Sequence, residues 1–336
     1  AFSYGPDTKD KMNLRIKAGV DHFHEVHRTS HKDIAILSRS LEIDIAVDLG
    51  GHTRDARTGI FALSAAPIQI SYIGYIGTMG ANYYDYLVAD QTMIPEKNKK
   101  YYSEKIVYLP CFQVNDSKVS LPDITFTRQD LGLPEEGFVF CCFNNTFKIT
   151  PTTFDSWGRI LEKVDGSVLL IYADNDTAQT NLTKEITARG INPNRLIFGK
   201  RLSKPEYLAR YRVADLFLDT HPYNAGTTAS DALRMGLPVL TYFGSSAVSR
   251  EAASVINAVN LPELITTNQE EYESLAIELA TNPEKLKIIK DKLASNLSTA
   301  PLYDTPLFTR HLESAYLTMH DRYQRDLDPD HIYVKH

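Results

Sequence analysis

Short apolar runs alternate with segments of helical period along most of the chain. The pattern is most regular after residue 137. There FVFCCF (Phe138 to Phe143), SVLLIYA (Ser167 to Ala173), RLIF (Arg195 to Phe198), Ala214 to Leu218 and Pro238 to Tyr242 read as strands, because continuous apolar runs of this length suit buried strands. Between them lie helices with recognisable ends. Thr150 and Pro151 supply an N-cap and a first-turn proline for a helix through Val164. Thr177 to Arg189 is closed by Gly190, Ser203 to Glu206 has capping-box spacing, and Thr227 to Met235 stops at Gly236. Regular β-α alternation with short connections predicts a doubly wound parallel sheet.

The first half is less regular. Glu42 to Leu49 reads as a strand ending in Gly50-Gly51, and Ile68 to Ile73 as another ending in Gly74 and the Gly77 to Gly80 loop. Tyr86 to Ala89 and Ile106 to Leu109 are shorter strands. Gln113 to Glu136 is polar, holds two prolines and shows little periodicity, so it reads as a link between domains. Leu307 to Tyr323 is a long helical segment, and no internal repeat is evident.

Composition narrows the class. A chain of 336 residues predicts two domains at about 100–200 residues each. We place them at 1–125 and 126–305, with a helical tail at 306–336. With 43% hydrophobic and 23% charged residues the chain is not disordered. A net charge of −6 without a basic block excludes nucleic acid as the main partner. No apolar run approaches the ~18 residues of a membrane helix, so no membrane partner is expected. Three cysteines form neither a disulfide framework nor a metal spacing, which fits a cytoplasmic chain. The opening AFSYGPDTKDKMNLR is no signal peptide. FSY reads like a strand end, so Ala1 is expected to fall inside a domain.

Parallel sheets bind ligands beyond the carboxyl ends of their strands, and three loops there stand out. After FVFCCF comes Asn144-Asn145-Thr146-Phe147-Lys148, where a lysine can neutralise a phosphate and the amides can hydrogen-bond to it; a solvated loop lysine is the structural alternative. In DTHPYNAGTTASD (Asp219 to Asp231), Gly226-Thr227-Thr228 opens a helix whose free N–H groups, hydroxyls and dipole suit a diphosphate. Asp231 shares the face of Thr227 and Thr228 and suits a ribose diol. As a bare pattern a plain threonine cap with a helix-face aspartate is the commoner arrangement. Lys204, Tyr207 and Arg210 recur along a helix start, where an aromatic can stack on a base or simply pack.

His52, in Gly50-Gly51-His52-Thr53, is a candidate general base or a structural loop histidine. His22, His24, His27 and His31 cluster, but HEXXH spacing and a fourth ligand are lacking, so a solvated segment is expected and no metal. There is no Walker A motif and no nucleophile elbow.

These segments resemble the catalytic region of the O-GlcNAc transferases, glycosyltransferase family 41. The likeness is carried by VDLGGHTRDAR (Val47 to Arg57), FALSAAPIQISYIGYIGTMG (Phe61 to Gly80), YSEKIVYLP (Tyr102 to Pro110), FCCFNNTFKITP (Phe140 to Pro151), Arg195 to Thr241 and SREAAS (Ser249 to Ser254). It implies a GT-B arrangement of two Rossmann-like α/β domains facing a cleft, the first incomplete at its start. It also implies metal-independent transfer of GlcNAc, with inversion, from UDP-GlcNAc to protein Ser/Thr hydroxyls, without a cofactor. Carried residue by residue, Lys148 neutralises the departing diphosphate and Asn145 contacts phosphate. Gly226, Thr227 and Thr228 hold the diphosphate, and Asp231 the ribose. Lys204 and Tyr207 fall on the uracil-contacting segment with Arg210 as basic neighbour. Gly74, Tyr75, Gly77 and Thr78 approach the sugar and the acceptor protein or peptide. Loss of UDP builds negative charge that fixed cations and N–H dipoles can meet.

The chain departs from the family pattern at five places. Tyr207 replaces a histidine that stacks on uracil, Gly226 stands where many members have histidine, Phe147 replaces a tyrosine, and Ile76 replaces a proline. A strand and a histidine loop, and usually tetratricopeptide repeats, are expected upstream of Ala1. The alternatives are a same-fold transferase using another nucleotide sugar, a non-catalytic UDP-binding module, and an epimerase of the same fold.

Overall fold

The computed structural model describes residues 1–335, so His336, the end of the expected tail, lies outside the described residues. The chain divides into two compact units.

The first unit comprises residues 1–88, 98–107 and 314–333. Its short strands β1 (Phe2–Ser3) and β2 (His24–Glu25) pair in parallel, with α1 (Lys11–Ala18) between them. Helix α2 (His31–Ser40) is capped by Ser30, whose hydroxyl accepts from Asp33 N at 3.1 Å. Strands β3 (Ile45–Asp48), β4 (Ile68–Ser71), β5 (Tyr86–Ala89) and β6 (Lys105–Tyr108) lie side by side in chain order. The β3–β4 and β4–β5 pairs are parallel, with Ile45 opposite Ile68 and Ile70 opposite Tyr86. A short strand from the far end of the chain, Ile332–Tyr333, adds outside β6. Helix α3 (Gly59–Ala62) covers the sheet with Ile60 and Phe61.

The second unit comprises, among the described residues, 89–97 and 108–313 with 334–335. Its six strands are β7 (Val139–Cys142), β8 (Val168–Tyr172), β9 (Leu196–Gly199), β10 (Leu216–Leu218), β11 (Val239–Tyr242) and β12 (Ile265–Thr266). They are ordered β12-β11-β10-β7-β8-β9, all parallel. Numbered within the unit this is 3-2-1-4-5-6, whose direction reverses between β7 and β10. The crossovers are α4 (Pro151–Lys163), α5 (Asp176–Ala188), α6 (Lys204–Arg210), α7 (Thr227–Arg234) and α8 (Glu251–Asn257), followed by α9 (Gln269–Thr281) and α10 (Pro283–Asn296). The four inner strands are buried on both faces, and Trp157 of α4 is fully enclosed in the same core. Burial pushes the Cys111 thiol up to about 12, and Cys141 and Cys142 upward as well.

Most helix ends follow the local code. Thr150 caps α4, the Ser203–Glu206 capping box opens α6, and Gly190 and Gly236 end helices at φ +78°. Helix α5 starts one residue earlier than its pattern suggests, because Asn175 caps it by accepting from Ala178 N at 2.8 Å. The stretch expected to link domains packs on the second unit. Asn115 N donates to Leu302 O at 2.7 Å, and Arg212 Nη1 to Pro122 O at 2.9 Å. Residues 108–125, expected with the first domain, therefore fall in the second unit. The tail helix α11 (Thr305–Gln324) begins in the second unit, and from Ser314 onward its residues count with the first.

Candidate functional site

The loops that follow β7 and β10 flank the strand-order reversal of the second unit, where open α/β sheets take ligands. Asp219 joins them. Its buried carboxylate accepts from Thr220 N (2.8 Å), Ala225 N (2.7 Å) and Asn144 Nδ2 (3.2 Å) through Oδ1, and from Thr241 Oγ1 (2.7 Å) through Oδ2. Burial outweighs these bonds and pushes its pKa up to about 6. Thr150 and Thr153, at the start of α4, donate to His221 O at 3.1 and 2.8 Å. The 219–226 loop is thus tied to β7, β11 and α4.

Lys148 ends a short 3-10 turn, Thr146–Lys148. Its Nζ donates to Asn224 O at 2.7 Å and lies 3.7 Å from the centroid of the Tyr223 ring. Among the described residues no carboxylate comes within ion-pair distance of it, and burial lowers its pKa. Two residues beyond Asn224, Gly226 stands at the N-cap of α7 and supplies no side-chain cap. The first N–H groups of that helix are therefore open to an anion.

The structure separates two residues that looked alike. Asn145 is exposed with a free amide, whereas Asn144 is buried. Asn144 spends its amide on Asp219 and on Thr220 Oγ1 (2.8 Å) and accepts from Thr228 Oγ1 on its carbonyl. Asn144 therefore organises the loops and has no amide left for a phosphate. The Thr228 hydroxyl proton is also consumed, leaving Thr228 its backbone N–H and Thr227 an exposed hydroxyl.

Lys204 and Asp231 come together. Lys204 Nζ donates to Asp231 Oδ2 at 2.6 Å, with 58% of the lysine side chain and 5% of the aspartate exposed. Lys204 Nζ also lies 4.9 Å from the Tyr207 ring centroid. The Tyr207 hydroxyl shares a hydrogen bond with Tyr211 OH, so the ring is fixed rather than free to swing. Arg210 is corrected by the structure. It is only 2% exposed, stacks 3.8 Å over the Phe143 ring and donates to Lys200 O at 3.0 Å. It supports the Tyr207 segment from beneath and is not a surface ligand.

Sequence reasoning assigned no role to Glu251, the first residue of α8. A Cβ added to Gly226 would fall 1.9 Å from Glu251 Oε1. Burial pushes the Glu251 carboxyl up to about 7, with Lys148 pulling it down and Asp219 up. Nothing in the local pattern of SREAAS marks it.

In the first unit, Gly74, Tyr75, Gly77 and Thr78 form one turn system. A Cβ on Gly74 would fall 2.0 Å from Leu49 O, so the chain there passes directly over the Gly50-Gly51 turn. Thr78 Oγ1 donates to Glu104 Oε2 (2.8 Å) and Met79 N to Glu104 Oε1 (2.6 Å), fixing the loop on a buried carboxylate. His52 is exposed, with its ring edge-on to Tyr75 at 5.2 Å. Its Nε2 lies 3.1 Å from Met79 O. A carbonyl only accepts, so in the neutral ring Nε2 carries the proton and Nδ1 keeps its lone pair. The imidazole is thus oriented, by a group 27 residues away. His24 stacks on Phe2, and among the described residues no three His, Cys, Asp or Glu side chains are placed to hold a metal ion.

Two α/β units, each built on a parallel sheet, are the make-up of the GT-B glycosyltransferase fold. Solved structures bear out the fold: the Anabaena protein HepE, in complex with UDP and glucose, superposes with TM-score 0.58 at 16% identity over 91% of this chain and 90% of its own. The Thermobaculum terrenum O-GlcNAc transferase, solved as a mutant, superposes with TM-score 0.85 at 30% identity, covering 95% of this chain and 60% of its own. The chain belongs to glycosyl transferase family 41, whose sequence profile matches residues 1–126 and 117–312. It is 36% identical to the probable UDP-N-acetylglucosamine–peptide N-acetylglucosaminyltransferase SEC of Arabidopsis thaliana, over 99% of this chain and 35% of that protein. It is 25% identical to the corresponding Caenorhabditis elegans transferase, over 98% of this chain and 39% of that protein. The chain thus spans about a third of the length of the curated relatives it matches. Among the described residues no helix is long and apolar enough to cross a membrane.

Proposed function

We propose that this chain transfers GlcNAc from UDP-GlcNAc to Ser/Thr hydroxyls of an acceptor protein or peptide, without a metal and with inversion at the anomeric carbon. The observation that carries the reading is Lys148: a partly buried ammonium without a carboxylate partner, anchored on Asn224 beside the open N-terminus of α7. The acceptor oxygen attacks the anomeric carbon and the bond to the diphosphate oxygen breaks. The leaving UDP keeps the electron pair, and Lys148 with the N–H groups of Thr227 and Thr228 meets that charge. Asn145 and the Thr227 hydroxyl add phosphate contacts. Asp231, held by Lys204, takes the ribose hydroxyls, and Tyr207 presents its ring to uracil.

In the first unit the Gly74–Thr78 loop serves the sugar and acceptor, and His52, its ring oriented by Met79 O, is the candidate base for the acceptor proton. The test is transfer from UDP-GlcNAc to a Ser/Thr peptide by wild type and Lys148→Ala. The variant is expected to lose a factor of about 100 or more in kcat. Undiminished turnover removes Lys148 from the reaction.

A further inference from the structure

Gly226 and Glu251 occupy one space. Helix α8 starts at Glu251 and sends its side chain to the start of α7, where a Cβ on Gly226 would lie 1.9 Å from Oε1 and 2.5 Å from Cδ. The glutamate carboxyl therefore fills the volume that any side chain at position 226 would take. It is only partly exposed, and among the described residues it makes no hydrogen bond or ion pair. Facing it are Lys148 from the turn after β7, Asp219 and Tyr223 from the loop after β10, and the open N–H groups of α7. Lys148 and those N–H groups are assigned above to the diphosphate, and the inference rests on that reading.

We propose that Glu251 is a positioning and proton-carrying residue of the diphosphate site: protonated, it donates a hydrogen bond to a diphosphate oxygen, and donor binding takes up one proton from solvent at this carboxyl. Ionised, Glu251 repels the same diphosphate across a poorly solvated gap. Burial already brings its free-state pKa up to about 7, so the two forms exchange near neutral pH. A second negative group placed beside it raises that value further. Binding and protonation are then linked, and affinity for the donor falls as pH climbs above the free-state value. The missing side chain at position 226 is offset by a group whose hydrogen-bond donation depends on pH.

The experiment is calorimetric titration of the full chain with UDP-GlcNAc, whose diphosphate diester does not itself titrate near neutrality. Wild type and Glu251→Gln are compared from about pH 6 to about pH 8.5, in buffers of differing ionisation enthalpy. Wild type is expected to bind with constant affinity below about pH 7 and to lose about tenfold per unit above it, with uptake of about one proton. Glu251→Gln, a permanent donor of the same shape, is expected to bind with flat affinity and no uptake. Gly226→Ala, whose Cβ displaces the carboxyl, is expected to lose the pH dependence too, which checks the geometry without altering Glu251. Equal pH slopes in wild type and Glu251→Gln overturn the proposal and move the proton to another group such as Asp219. Wild-type binding that is clear but insensitive to pH overturns it while leaving the diphosphate site standing. No binding at any pH overturns both.

Discussion

Removing the Asp219 carboxylate is expected to unfasten the whole ligand-facing edge of the second unit. Asp219→Ala deletes the acceptor for four donors at once. Two of these recover, since Asn144 Nδ2 keeps Thr220 Oγ1 at 2.8 Å and the Thr241 hydroxyl can rotate. The backbone amides of Thr220 and Ala225 do not, because both residues are fully enclosed. Each orphaned amide costs about 1–3 kcal/mol, so the variant loses about 4 kcal/mol. In a unit of this size that lowers Tm by about 8–16 °C. Asp219→Asn keeps one oxygen for both amides and turns its NH2 to the Thr241 hydroxyl, so it costs about 1 kcal/mol or less.

Urea unfolding followed by fluorescence reads this directly. Trp157 is the only tryptophan, is enclosed in the same unit, and donates to Tyr272 OH (3.1 Å), which in turn donates to Asp219 O (3.0 Å). An alanine variant within about 1 kcal/mol of wild type, or an asparagine variant as damaged as alanine, refutes the role given to the carboxylate.

Gly74→Ala in the first unit pushes a methyl to 2.0 Å from Leu49 O, a backbone atom that cannot rotate away. A loss of about 1–3 kcal/mol by thermal unfolding is expected, and a neutral change shows that the turn can move. Stability should also depend on pH through Glu251, whose pKa burial raises from 4.5 to about 7. A raised carboxyl holds its proton in the folded chain where the unfolded chain has released it. That contribution is complete below the unfolded value and lost as pH rises through the folded one. For Glu251 the loss is about 3 kcal/mol between about pH 4.5 and about pH 7. Glu251→Gln removes it, so the unfolding free energy of the variant should fall less over that window; an equal fall in both proteins contradicts the assignment.

Local sequence was enough for most elements of the second unit. Val139–Cys142 and Val168–Tyr172 are unbroken apolar runs because both sheet faces are covered, and Thr150, Ser203, Gly190 and Gly236 mark helix ends by chemistry that acts within four residues. The placement of Lys148 and the Gly226–Thr228 helix start at one edge of the sheet was legible for a related reason. A parallel sheet puts such loops at one edge, so position along the chain already says which side they face. The division of the chain was not legible in this way. Residues 108–125 lack periodicity because they are held by Leu302, Ser230 and Arg212, partners about 90 to 190 residues away that no window can contain.

The same limit explains which site residues changed meaning. Asn144 and Asn145 are adjacent and identical in type, and only the distant partners Asp219, Thr220 and Thr228 decide that one organises and the other stays free. Arg210 reads as the basic neighbour of the uracil-contacting segment, but the aromatic ring of Phe143, just after β7, holds it inside. Gly226 is the sharpest case. Read alone it is a missing side chain and a lost contact. Set against Glu251, 25 residues on, it is a space already filled by a carboxyl group. A substitution at a binding site therefore cannot be scored as loss until the side chain that has moved into its volume is known.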